Sequence, residues 1–241
     1  MESAQDNQGR ILLVDDSFAP LTPELLKLSR SLQTLIHLGD GPAPQNMLSY
    51  EVLVADSSPV EDSMRSGDDL AGVFYTGGTT GSPKGVMLCH RNLYTNAISS
   101  VSSQIVRAGS IGLHAAPMFH LADGAFMNAL FAAGGCHVMV PRFDPVAVLQ
   151  AISTESITDL LLVPTMIQML VDHPDVHQYD LSSLQNMLYG ASPISEGLLD
   201  RAMKTIPSVG FTQAYGMTEL APVATVLSPE MHRQEIGRAH V

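Results

Sequence analysis

Cysteine is nearly absent: Cys89 and Cys136 are the only two in 241 residues. Two thiols cannot build a disulfide framework, and neither has partners at metal-ligand spacing, so a reducing compartment is expected. Basic residues are also scarce, with 12 Lys and Arg against 24 Asp and Glu and a formal charge of −12. Without a Lys or Arg run, the composition argues against a nucleic-acid groove and against a polybasic membrane patch. No apolar run reaches the ~20 residues of a membrane span. The opening "MESAQDNQGR" has no apolar segment behind a basic start, so no secretory signal is expected. There is no internal repeat. What is present is 45% hydrophobic residues, enough for a real core. The expectation is a soluble, acidic, cytoplasmic chain of one large domain or two modest ones.

Short apolar runs alternate with longer helix-like stretches. Strands are expected over 10–16, 34–40, 71–77, 112–118, 136–142, 159–165, 186–192 and 208–216. Helices are expected over 22–30, 90–106, 120–133, 144–154, 164–172 and 195–205, with loops over 39–49 and 56–69. This alternation predicts an α/β fold with largely parallel sheets flanked by helices. Ligands of such sheets bind at the carboxyl ends of strands, where "YTGGTTGSPKG" and "AYGMTE" fall.

The stretch "VFYTGGTTGSPKGVM", Val73 to Met87, places four glycines and four hydroxyl residues around one lysine directly after an apolar run. Glycines at this density cost backbone entropy. Backbone N–H groups, hydroxyls and a cation aimed into one loop suit phosphate oxygens. The plainer alternative is a surface loop of small residues. The loop is not a Walker loop, because Lys84 follows Pro83 and precedes Gly85, and it lacks the G-x-G-x-x-G of a dinucleotide site.

Tyr75 to Gly85 instead resembles the phosphate-binding signature [ST]-[SG]-G-[ST]-[ST]-G-x-P-K-G of the adenylate-forming (AMP-binding) enzymes. These include acyl-CoA synthetases, peptide-synthetase adenylation domains and luciferases. Three further stretches resemble the family in the right order. "APMFHLADG" (116–124) is similar to the segment beside the carboxylate substrate, "YGASPIS" (189–195) to the G-[AS]-x-P segment along adenine, and "QAYGMTEL" (213–220) to Y-G-x-T-E. The whole is most similar to fatty-acyl-CoA synthetases.

The resemblance implies a two-step reaction. A carboxylate attacks the α-phosphate of ATP to give acyl-AMP and pyrophosphate, and the thiol of CoA then displaces AMP. It implies nucleotide binding by Thr76, Gly77, Gly78, Thr79, Thr80, Gly81 and Lys84 around the phosphates. It further implies that Gly190, Ala191 and Ser192 lie on one side of adenine, with Tyr215 and Gly216 on the other. Thr218 would meet the α-phosphate and Glu219 would bind Mg²⁺, a hard cation suited to carboxylate and phosphate oxygens. Lys84, His120, Thr218 and Glu219 are the implied catalytic set. His120 has two readings, a core histidine between Phe119 and Leu121 or a group orienting the carboxylate. The other histidines have no constellation. Met118, Met127, Met166, Met169 and Met187 read as core filling, with a plastic acyl pocket as the alternative.

The ribose-binding Asp motif, the hinge and the lysine-bearing C-terminal domain of the family have no counterpart after "YGMTE". The chain therefore reads as a fragment of the large N-terminal region, inactive alone, with two stacked subdomains truncated at both ends. The expected division is 1–108, ending in the phosphate loop and its helix, and 109–235, with the carboxylate and adenine motifs. The closing "IGRAHV" (236–241) is also what the start of a common sequencing-library adapter encodes, which makes it a candidate non-native tail. The alternative is that Gly237 and Arg238 are the [VI]-G-R of the family. A medium- or long-chain fatty acid is the expected substrate. Aryl, short-chain or amino acids are the alternatives within the class, and a non-catalytic nucleotide-binding module is the alternative outside it.

Overall fold

The computed structural model describes residues 9–77 and 83–235. Gly78, Thr79, Thr80 and Gly81 of the glycine-rich loop, and the 236–241 tail, lie outside the described residues. The described chain forms two compact units, one from residues 9–65 with 75–77 and 83–85, the other from 66–74 with 86–235.

The first unit holds a three-stranded parallel sheet in the order β1 (Ile11–Val14), β2 (Thr34–His37), β3 (Leu48–Ser49). Helix α1 (Thr22–Leu28) links the first two strands. Helix α2 (Tyr50–Asp56) follows the third, its first turn capped by Ser49, whose Oγ accepts from Val52 N at 3.4 Å. Strand β4 (Leu70–Thr76) leads into the glycine-rich loop and β5 (Lys84–Cys89) leads out of it; the two pair with each other.

The second unit is built on a six-stranded sheet. In chain order its strands are β6 (Ile111–His114), β7 (Cys136–Met139), β8 (Asp159–Leu162), β9 (Asn186–Gly190), β10 (Gly210–Gly216) and β11 (Val223–Leu227). Their order across the sheet is β11-β10-β9-β8-β6-β7, parallel throughout except for the antiparallel β10–β11 pair. Five helices pack between and beside the strands: α3 (His90–Ser102), α4 (Leu121–Ala133), α5 (Pro145–Glu155), α6 (Pro164–Val171) and α7 (Glu196–Thr205). A last helix, α8 (Pro229–Glu235), follows β11.

The strand side chains show why this sheet is covered on both faces. Successive residues point to opposite sides. Leu160, Leu162, Met187 and Tyr189 join one core with Leu149, Ile152, Ile167, Leu170 and Leu199 from α5, α6 and α7. Leu161 and Leu188 face the other way, into a second core with Phe126, Ala129 and Leu130 of α4 and with Ile105 and Val106. Unbroken apolar runs such as "LLLV" are what a doubly covered parallel strand requires. Local signals set the helix ends. Asp144 accepts from Ala147 N at 2.9 Å and Pro145 opens α5, while α4 ends at Gly134 with φ +66°.

All eight expected strands and all six expected helices are present, and the α/β class with mostly parallel, helix-flanked sheets holds. The expected 90–106 helix stops at Ser102, because Gln104 takes φ 57° and turns Ile105 and Val106 into the second core. Strands β5 and β11, the short β3, and helices α2 and α8 were not anticipated. Helix α2 is only seven residues long and buries none of them, and its apolar residues Val52, Leu53 and Val54 are consecutive and not at helical spacing. Met187 is fully buried, but Met118 and Met169 are 36% and 54% exposed, so core filling does not describe those two. Among the described residues no helix is long and apolar enough to cross a membrane.

Gly197, in the first turn of α7, has open space where a Cβ would be. Gly197→Ala is therefore expected to stabilise the chain by about 0.4–1 kcal/mol, since alanine lowers unfolded-state entropy at no steric cost. Thermal or urea denaturation checks this. A lower melting temperature would show that the position is crowded.

Candidate functional site

A cavity of about 180 Å³ opens in the second unit, over the carboxyl ends of β8, β9 and β10. Leu161 borders it from β8 and Val163 from just beyond, Leu188 to Gly190 from β9 and Ala191 from just beyond, and Ala214 to Thr218 from β10 and the turn beyond. His120, Leu121, Ala122, Ala125, Phe126 and Ala129 close it from the start of α4, and Pro222 and Val223 from the entry to β11. Three stretches that lie far apart in sequence, "FHLADG", "YGASP" and "AYGMTE", thus meet at one place. Most of this wall is apolar.

Two glycines make the close approaches at the rim possible. A Cβ on Gly190 would run into the Ala214 carbonyl oxygen of the paired strand, and one on Gly216 into the Pro222 carbonyl oxygen. The β10–β11 register shifts between Tyr215 and Gly216, a bulge that re-aims the strand end at the cavity. Ala191 adopts φ +66°, a left-handed conformation costing an alanine roughly 1–2 kcal/mol. Strain of this kind persists where surroundings impose it, commonly at binding sites.

Among the residues singled out from sequence, His120, Gly190, Ala191, Tyr215, Gly216 and Thr218 all line the cavity. Tyr215 is 59% exposed, so its ring is open to stacking and does not serve as a half-buried core aromatic. His120 is exposed, at the N-cap of α4 with its ring 5.3 Å from that of Phe119. The core reading of His120 is thereby excluded. Ser192 and Glu219 are exposed and fall outside the lining, Glu219 in a single 3₁₀ turn, Thr218–Leu220. In the first unit, Lys84 and Gly77 are exposed and Thr76 is half-buried. Thr76 Oγ1 makes a long hydrogen bond, 3.5 Å, to the Lys84 carbonyl oxygen, tying together the two strand ends that flank the loop.

Two features were not read from sequence. Asn96 of α3 clamps the segment after "YGMTE": its Nδ2 donates to the carbonyls of Leu220 (3.3 Å) and Val223 (2.9 Å), and its Oδ1 accepts from Val223 N at 3.4 Å. The histidines outside "FHLADG" also do have a constellation, contrary to expectation. His114 Nδ1 lies 3.0 Å from Asp123 Oδ2, and His114 Nε2 lies 3.0 Å from His137 Nδ1. Burial, with His114 second, pushes the His137 imidazole below the usual histidine range. Alongside the cavity, Tyr189 is buried with its hydroxyl 2.8 Å from His232 Nε2, and burial pushes that phenol well above the ordinary tyrosine range. Spacing offered no clue to any of these pairs, since their members lie 9 to 127 residues apart.

The site can be tested against the groups its resemblance implies. Glycine-lined approaches, an exposed tyrosine ring and a threonine at the rim suit a flat base followed by phosphates. Among the described residues no group of three or more His, Cys, Asp or Glu is arranged to hold a metal. One carboxylate, Glu219, together with substrate phosphate oxygens is a donor set that Mg²⁺ accepts.

Comparison with known proteins adds to this geometry. The sequence model of the AMP-binding enzyme family matches residues 5–240. The chain is 38% identical over 175 residues to a feruloyl-CoA synthase of Amycolatopsis sp, covering 72% of this chain and 35% of that protein. It is 33% identical over 232 residues to the medium/long-chain-fatty-acid–CoA ligase FadD8 of Mycobacterium tuberculosis, covering 93% of this chain and 40% of that one. The structure of a long-chain-fatty-acid-CoA ligase (FadD1) from Archaeoglobus fulgidus superimposes with a TM-score of 0.83 at 26% identity, covering 97% of this chain and 48% of that chain. The chain thus spans less than half the length of each.

Proposed function

The chain belongs to the AMP-binding enzyme family, and from that premise we propose that the whole protein converts a carboxylic acid to acyl-AMP and then to acyl-CoA. The observation that carries this reading is the convergence of His120, Gly190–Ala191 and Tyr215–Thr218 on one cavity. Gly190, Ala191 and Ser192 on one side and Tyr215 and Gly216 on the other hold adenine. Thr76, Gly77, Gly78, Thr79, Thr80, Gly81 and Lys84 hold the phosphates, and Thr218 meets the α-phosphate. Glu219 holds Mg²⁺, which would neutralise phosphate charge as pyrophosphate departs. Such chemistry needs mainly position and electrostatic stabilisation from the protein. His120, exposed at the cavity, orients the carboxylate. The division at residue 108/109 and a cytoplasmic setting belong to the same reading.

A medium- or long-chain fatty acid is the proposed substrate, supported by the largely apolar cavity wall and by the likeness to FadD8 over 93% of the chain. An arylpropenoic acid is the second reading, favoured by the 38% identity to the feruloyl-CoA synthase. In the complete enzyme, pyrophosphate release is expected only when ATP, Mg²⁺ and an acid are all present, and to be faster with dodecanoate than with ferulate. Release without any acid would overturn the activity. Faster release with ferulate would overturn the substrate alone.

A further inference from the structure

Asp123 is wholly buried, yet the proposed reaction makes no use of it. A carboxylate removed from water is costly unless donors or a cation meet it. Asp123 meets His114 Nδ1 at 3.0 Å, at the carboxyl end of β6. Behind it His137, on β7, meets His114 Nε2 through its Nδ1 at 3.0 Å, with ring centroids 5.2 Å apart and planes 8° from parallel. The Phe126 ring also lies against His114, at 5.4 Å. Asp123 and Phe126 are three residues apart and share a face of α4. A single imidazole therefore holds the start of α4 at two points, its first turn through a hydrogen bond to Asp123 and Phe126 one turn on through an aromatic contact. That turn follows His120 directly, and Phe126 borders the cavity. Packing alone does not call for a carboxylate here, because Asp123 Oδ1 has no partner among the described residues. An apolar side chain of similar size would satisfy packing equally well and would lose only the bond to His114.

We propose that Asp123 is a positioning residue which, through His114, holds the first turn of α4 and with it His120 and Phe126 at the cavity. The functional part of this rests on the reading of that cavity as the carboxylic-acid site. The test compares the 241-residue chain with its Asp123→Leu and Asp123→Asn variants by amide hydrogen exchange, and by NMR of the His120 ring with dodecanoate as probe. Asp123→Leu leaves the buried His114 Nδ1 without its partner, so a lower melting temperature is expected, and the amides of Leu121 to Phe126 should exchange about tenfold faster beyond that global change. The dodecanoate-induced shift of the His120 ring should disappear in that variant. Asp123→Asn, which keeps an acceptor for His114, should largely restore both. Unchanged exchange at those amides in Asp123→Leu overturns the proposal, as does equal loss in the leucine and asparagine variants. If dodecanoate and ferulate both leave the wild-type His120 ring unmoved, the acid-site reading fails, and the exchange comparison alone decides whether Asp123 positions α4. Should Asp123→Leu not fold, His114→Gln takes its place, with the same exchange result deciding.

Discussion

Glu219→Gln in the complete enzyme is expected to lower Mg²⁺-dependent acyl-adenylate formation by about 10²–10³-fold, the usual cost of losing one well-placed electrostatic group. Glutamine keeps the length and the oxygen but removes the charge that a hard divalent cation needs. The fold should not notice. Glu219 is exposed in a single 3₁₀ turn, Thr218–Leu220, and the segment after it is held by Asn96. Exposed substitutions of this kind stay within about 0.5 kcal/mol, so the melting temperature should move by no more than about 2 °C. Raising Mg²⁺ should recover part of the rate. A variant with wild-type rate and wild-type Mg²⁺ response would remove Glu219 from the site.

Gly190→Ala carries the largest expected effect on stability. Gly190 pairs with Ala214 across the β9–β10 ladder, and its missing Cβ is what lets the Ala214 carbonyl oxygen come so close. A backbone oxygen in a ladder cannot swing aside as a flexible side chain can. Either the strands part at the cavity rim or the Ala214 hydrogen bonding is disturbed. Overpacking of this sort costs typically 1–3 kcal/mol. At about 2 kcal/mol the melting temperature falls by roughly 4–8 °C, opposite in sign to the change expected for Gly197→Ala. Nucleotide binding should weaken with it, since Gly190 and Tyr215 border the same cavity. A melting temperature equal to wild type would show that β9 and β10 separate here without loss.

Local pattern was enough for the regular elements of the second unit. "DLLLVPT" carries an apolar strand and then a proline suited to the first helical position, and β8 and α6 are found there. "YGASP" and "YGMTE" were legible for the same reason, as short runs whose glycines and hydroxyls announce a close approach of backbone to ligand. Where the pattern was weak, elements were missed. α2 has no buried residue, and β11 is an edge strand whose burial does not alternate cleanly. A helix expected to reach residue 106 stopped at Ser102, because Ile105 and Val106 belong to a core formed with residues far along the chain.

What the amino-acid sequence determined by itself was the α/β class, the order of strands and helices, and the residue types brought to each strand end, because propensity, capping and period act over a few neighbours. Tertiary structure alone decided that His120 is exposed at the cavity and not in the core, and that Gly190 must be glycine because of Ala214. It alone joined the buried Asp123 and His114 and the half-buried His137 into one chain of hydrogen bonds. Each of those outcomes depends on which strands become neighbours. Neighbours in a parallel sheet are chosen by crossovers that bury apolar area on both faces, so no window of adjacent residues contains them.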